Sequence, residues 1–132
     1  MKNVIFSAVF MFLLASCTTK TTEFPVSTVT PAAVISATVK QDKSNNFKIS
    51  VTAKHMASAE RLSPPKNTYV VWIETKDNGV MNIGQLKGKN DKTISLETLT
   101  PFDPIVIIIT AEDEGDVSFP SGIEISRSTV VK

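Results

Sequence analysis

The sequence predicts an all-β fold, and three observations carry the prediction. Apolar residues recur with period two from Ala33 onwards, turn residues interrupt them at short intervals, and no stretch after residue 33 sustains a helical stripe over three turns. The chain has 132 residues, 42% apolar and 20% charged, which is enough for one domain and ordinary for a globular one.

Val34 to Val39 is a β-branched run that precedes a polar break at Lys40 to Asn46. Phe47, Ile49, Val51 and Ala53 then alternate with Lys48, Ser50, Thr52 and Lys54, the pattern of a strand with one wet face. Ala57 to Leu62 is long enough for one helical turn before Pro64 ends it. Tyr69 to Ile73 and Ile105 to Ile109 are apolar on both faces, as central strands are. Val80 to Leu86 follows the Asp77-Asn78-Gly79 turn, Ile94 to Leu99 forms the next strand, and Ile123 and Ile125 alternate with Glu124 and Ser126. About seven short strands separated by turn signals indicate an immunoglobulin-like antiparallel β-sandwich over residues 33–132, with a small antiparallel barrel as the alternative. On one strand Tyr69, Val71 and Ile73 share a face and Val70 and Trp72 share the other. The second apolar face is either covered by the loop Lys54 to Lys66 or exposed as a docking patch.

The N-terminus is of a different kind. Lys2 precedes an apolar run from Val4 to Leu14, broken only by Ser7. The run has the length of a secretory signal core and falls short of the about 20 residues of a spanning helix. It ends in Leu14-Ala15-Ser16-Cys17, which resembles the lipobox of bacterial lipoproteins. The resemblance implies a signal peptide over residues 1–16, cleavage between Ser16 and Cys17, and acylation of Cys17. Each buried methylene contributes about 0.8 kcal/mol to membrane binding, and two or more chains anchor stably where one does not. In that family an Asp after the Cys favours the inner membrane; Thr18 in its place favours the outer one. Residues 17–32 then read as the lipidated Cys and a flexible linker. Seven of the fifteen residues Thr18 to Ala32 are Ser or Thr, and Pro25 and Pro31 confine any strand there, such as Phe24 to Val29, to an edge.

Residues 64–125 resemble the extracytoplasmic C-terminal domain of anti-sigma-K factors. The resemblance lies in Tyr69-Val70-Val71-Trp72, in Gly84 within a short apolar strand, in Thr110-Ala111-Glu112, and in the Pro120-Ser121-Gly122 turn. It implies the outer β-domain alone, delivered on a lipid. The sigma-binding segment and spanning helix of those proteins have no counterpart in this sequence.

Charge and composition narrow the function. Lys plus Arg is 14 and Asp plus Glu is 13, with no basic excess for nucleic acid. A single Cys and a single His exclude an intrachain disulfide and Cys- or His-based metal clusters. Glu112, Asp113, Glu114 and Asp116 are the weak candidates for a Ca²⁺ loop; the alternative is a solvated turn in which Glu112 accepts backbone N–H bonds. His55 with Glu60 is the one candidate acid–base pair, on residue type alone. Tyr69 and Trp72 are candidates for interaction or core, Trp72 either stacking on a glycan or filling the sandwich. No nucleophile elbow, phosphate loop or zincin motif occurs. The expected function is a non-enzymatic envelope lipoprotein that binds or scaffolds an envelope protein. The alternative is a glycan- or Ca²⁺-binding module, and no cofactor is expected.

Overall fold

The computed structural model describes residues 18–90 and 92–131. Ser16 and Cys17, and with them the expected cleavage and acylation, lie outside the described residues. Nine strands are found among those described: β1 (Thr19–Glu23), β2 (Val34–Gln41), β3 (Phe47–Lys54), β4 (Thr68–Thr75), β5 (Gly79–Gln85), β6 (Lys87–Asn90), β7 (Thr93–Thr100), β8 (Val106–Glu112) and β9 (Ile123–Arg127). They form two antiparallel sheets, one in the order β1-β2-β3-β7-β6 and one in the order β5-β4-β8-β9. Leaving out β1, the orders match A-B-E-D and C′-C-F-G of an immunoglobulin-like sandwich. The one helical element described is the 3-10 turn Ala59–Arg61, inside the span where a turn was expected.

The core lies between the inner faces. Ile35, Ala37 and Val39 of β2, and Ile49, Val51 and Ala53 of β3, meet Val71 and Ile73 of β4 and Ile107, Ile109 and Ala111 of β8. Each fully buried Ile or Val contributes about 1.5–3 kcal/mol. β5 continues into the opposite sheet as β6 through Leu86, which is buried and whose N–H donates to the Tyr69 carbonyl at 3.0 Å. That switch closes one side of the sandwich.

The other side corrects the expected linker. β1 pairs with β2 in register from Thr19↔Lys40 to Glu23↔Ser36, so the chain joins the sheet at once after Thr18. Thr22 turns inward, is buried, and its hydroxyl lies 3.2 Å from the Thr129 hydroxyl. Residues 24–33 are likewise folded onto the domain: Phe24 packs on the core, and the Ser27 hydroxyl accepts the amides of Val29 and Thr30, both at 3.1 Å. The strand thus lies before the Phe24 to Val29 segment, and Pro25 and Pro31 fall in the loop that follows it.

These registers give the sandwich two poles. At the pole where β1 begins sit residues 42–46, 76–78 and 101–105 and the C-terminal segment, joined by Val131 N–H to Ile105 O at 2.8 Å. At the opposite pole sit residues 24–33, 55–67 and 113–122 and the β6–β7 turn.

Candidate functional site

The outer face of the four-stranded sheet carries a second apolar cluster. Val70, Trp72 and Ile108 are buried there, with Val106 and Val117 packed against them. The sequence parity of β4 is as expected, but the cover is not. The segment 113–122, between β8 and β9, crosses this face as a strap, whereas residues 54–67 cap the core at the far pole through Ala59 and Leu62. Trp72 is a core residue, as the core reading expected: at 0% exposure it presents no face to solvent for a glycan, and it packs in this outer cluster and not between the two sheets.

A polar relay runs under the strap. Trp72 Nε1–H donates to Thr110 Oγ1 at 2.8 Å, and that hydroxyl donates to Glu112 Oε1 at 2.7 Å. The Ser121 amide and hydroxyl also donate to Glu112, at 3.1 and 2.9 Å. Burial raises the Glu112 pKa, but the bonds from Thr110, the Gly122 amide and Ser121 outweigh it and hold the carboxyl below its ordinary range. Gly122 has no room for a side chain: a Cβ there would lie 1.9 Å from the Ala111 carbonyl oxygen. Further along, Asn82 Nδ2 donates to the carbonyls of Gly115 and Val117, both at 2.9 Å. At the strap's start, Asn67 Nδ2 donates to the Asp113 carbonyl at 3.0 Å and Lys66 Nζ lies 3.4 Å from Asp113 Oδ2.

This geometry does not make a Ca²⁺ loop of Glu112, Asp113, Glu114 and Asp116. Glu112 is buried and surrounded by donors, Asp113 faces Lys66, and Glu114 and Asp116 are exposed. Among the described residues no three His, Cys, Asp or Glu converge on a metal position.

The far pole holds the open concave surface. Two shallow hollows of about 280 and 310 Å³ flank residues 55–57 and share Met56, Ala57 and Ile94. Tyr69 and Leu86 extend the floor, and His55 and Glu60 stand on the rim. The Tyr69 hydroxyl donates to the Ala57 carbonyl and pins the loop over the core. Burial pushes that phenol up to about 12. Tyr69 is thus a core residue whose polar tip shapes the cleft. His55 adopts φ 57°, a left-handed conformation, and its N–H donates to the Lys92 carbonyl at 2.9 Å. No hydrogen bond or ion pair joins His55 to Glu60, so the residues proposed on type as an acid–base pair are not assembled as one. At the near pole, the hollow lined by Thr18, Val39, Phe47, Asp103 and Val131 measures about 20 Å³, room for one water.

Sequence reasoning missed Asn82 and the floor residues Met56, Leu86 and Ile94. Asn82 interrupts the apolar pattern of β5, but its partners are carbonyls more than thirty residues away, which no local signal reports. Among the described residues no helix is long and apolar enough to cross a membrane. Comparison with family models, curated proteins and solved structures gave no match.

Proposed function

We propose that the chain is a non-enzymatic lipoprotein of the bacterial envelope, anchored through acylated Cys17 and presenting its sandwich as a binding or scaffolding module for an envelope protein. The observation that carries the reading is where β1 starts. Thr19 pairs with Lys40 at one pole, so a lipid carried two residues earlier in the sequence would tether the domain by that pole. The cleft of Met56, Tyr69, Leu86 and Ile94 then faces away from the lipid. Its size and its apolar floor with a polar rim suit a side chain or short segment of a partner. Thr18 after the Cys favours the outer membrane. The resemblance of residues 64–125 to the outer domain of anti-sigma-K factors belongs to the same proposal and concerns the fold of the module alone.

Two measurements test it. Metabolic labelling with an alkyne fatty acid, followed by membrane fractionation, should label the wild type and not Cys17→Ala, which should also stay at precursor size. An unlabelled wild type refutes the anchor. Photo-crosslinking in cells from Met56 at the far pole and Asn45 at the near pole should give a discrete protein adduct from Met56 alone. Adducts of equal yield from both positions, or from Asn45 alone, refute the cleft as the contact surface.

A further inference from the structure

We propose that residues 113–122 form an acid-released strap: protonation of Glu112 lifts the segment and uncovers the apolar face of Val70, Trp72 and Ile108. The bonds that hold the strap are polar, and its apolar hold is small. Val117 is the strap residue that packs on the cluster, while Phe119 stands 69% exposed. The remaining hold is the Asn82 pair of bonds in the middle, the Lys66 and Asn67 contacts with Asp113 at the start, and Glu112 at the end.

Glu112 is the vulnerable member of this set. It is 1% exposed and its oxygens meet donors: the Thr110 hydroxyl, the Ser121 amide and hydroxyl, and the Gly122 amide. Thr110 Oγ1 accepts from Trp72 Nε1 and donates its own proton to Glu112, so the ionised carboxylate joins the Trp72 ring to the closure of the strap. A carboxylate satisfies all of these donors. A carboxylic acid brings one more proton into the same ring: a hydroxyl of Ser121 or Thr110 must reverse to accept it, and the bonds from the Ser121 and Gly122 amides lose their charge assistance, which loosens the closure of the strap.

The other charged groups around the site lie at its margins. On the segment leading into β4, Lys66 pairs with Asp113. On β9, Glu124 is held by Arg127 at 2.6 Å, and Arg127 also lies 3.9 Å from Glu74 of β4. Within the strap Glu114 and Asp116 are exposed, and the facing residues of β5 are Asn82 and Gln85, which do not titrate. Because the donors hold the Glu112 carboxyl below its ordinary range, its contribution is complete at neutral pH. That contribution is lost as pH falls through the ordinary range towards the lowered folded value.

Trp72 is the sole Trp of the chain, so its fluorescence reads the strap directly. The experiment is an acid titration of the full chain in mild detergent, following Trp72 emission, acrylamide quenching and far-ultraviolet circular dichroism. The expected result is a reversible red shift and increased quenching while the β-sheet spectrum is retained. Ser121→Ala, which removes one donor, should move this step to higher pH. Glu112→Gln should show the exposed Trp72 signal already at neutral pH, with no acid step. Trp72 and the sheet spectrum changing together in the wild type would overturn the proposal, as would an unmoved midpoint in Ser121→Ala. The wild type and Ser121→Ala decide the matter even when Glu112→Gln fails to fold.

Discussion

Replacing Tyr69 with Phe removes one oxygen atom, and the structure assigns that atom two separable effects. The hydroxyl donates to the Ala57 carbonyl and holds the loop that walls the far cleft. Losing a hydrogen bond of this kind costs about 1 kcal/mol, at the lower end here because Ala57 is exposed and water can take the donor's place. The second effect appears in alkali. Burial raises the phenol from 10.0 to about 12, so the folded protein keeps the proton longer than the unfolded chain. Stability from this source is complete below the unfolded value and is lost as pH rises towards the folded one. The interval is worth at most about 2.7 kcal/mol, the hydroxyl being only partly shielded where it ends near the cleft. Wild type should therefore exceed Tyr69→Phe by about 1 kcal/mol at neutral pH, and the order should reverse above about pH 11. Urea unfolding of both chains, at steps from about pH 8 to about pH 11.5, measures the difference, in which lysine and arginine titration cancels. A difference that stays constant across that range refutes the assignment of Tyr69 as the buried, hydrogen-bonded phenol.

Gly122→Ala should cost about 1–3 kcal/mol by thermal melting, because its Cβ would meet the Ala111 carbonyl oxygen at 1.9 Å and the backbone must move. Trp72→Phe should lose about 1–2 kcal/mol in urea through the missing bond to Thr110 and the volume left under the strap. Lys48→Ala should change stability by less than about 0.5 kcal/mol, since its 2.7 Å pair with Glu97 is half-exposed on both sides. A larger loss would mean that the outer face of the five-stranded sheet is covered.

The sequence makes some of these elements visible and hides others for physical reasons. β3 is legible to the residue because its inward Ile49, Val51 and Ala53 alternate with solvated Lys48, Ser50 and Thr52. β1 is invisible to the same test. An edge strand needs a pairing partner more than an apolar face, and Thr22 fills the inward position by bonding Thr129. β6 is hidden because its four residues, Lys87–Asn90, carry no pattern; it forms because β5 runs on past Leu86 into the other sheet. Trp72 shows the limit most sharply. Alternation says that Val70 and Trp72 share a face, but which face is inner depends on packing between strands far apart in sequence. What covers the outer one depends on Asn82 and Glu112 reaching across to the strap.

The correction at the N-terminus changes what anchoring would do. A fifteen-residue linker would reach roughly 50 Å and let the domain turn freely above the lipid. With β1 in the sheet, Thr18 alone separates an acylated Cys17 from the first pair, Thr19↔Lys40. The far cleft then stands about one strand length from the near pole, some eight residues of β3 at about 3.3 Å each, or roughly 26 Å. That distance is set by the fold, so the proposed module presents its cleft at fixed height and with limited orientation. Inserting a fifteen-residue Gly/Ser segment between Thr18 and Thr19 separates the two pictures. Folding and fatty-acid labelling should be unchanged, because β1 and Cys17 are intact, while the Met56 crosslink to a membrane-bound partner should weaken as the cleft loses its fixed position. An undiminished Met56 adduct would show that reach, and not the rigid mounting of β1, governs the contact.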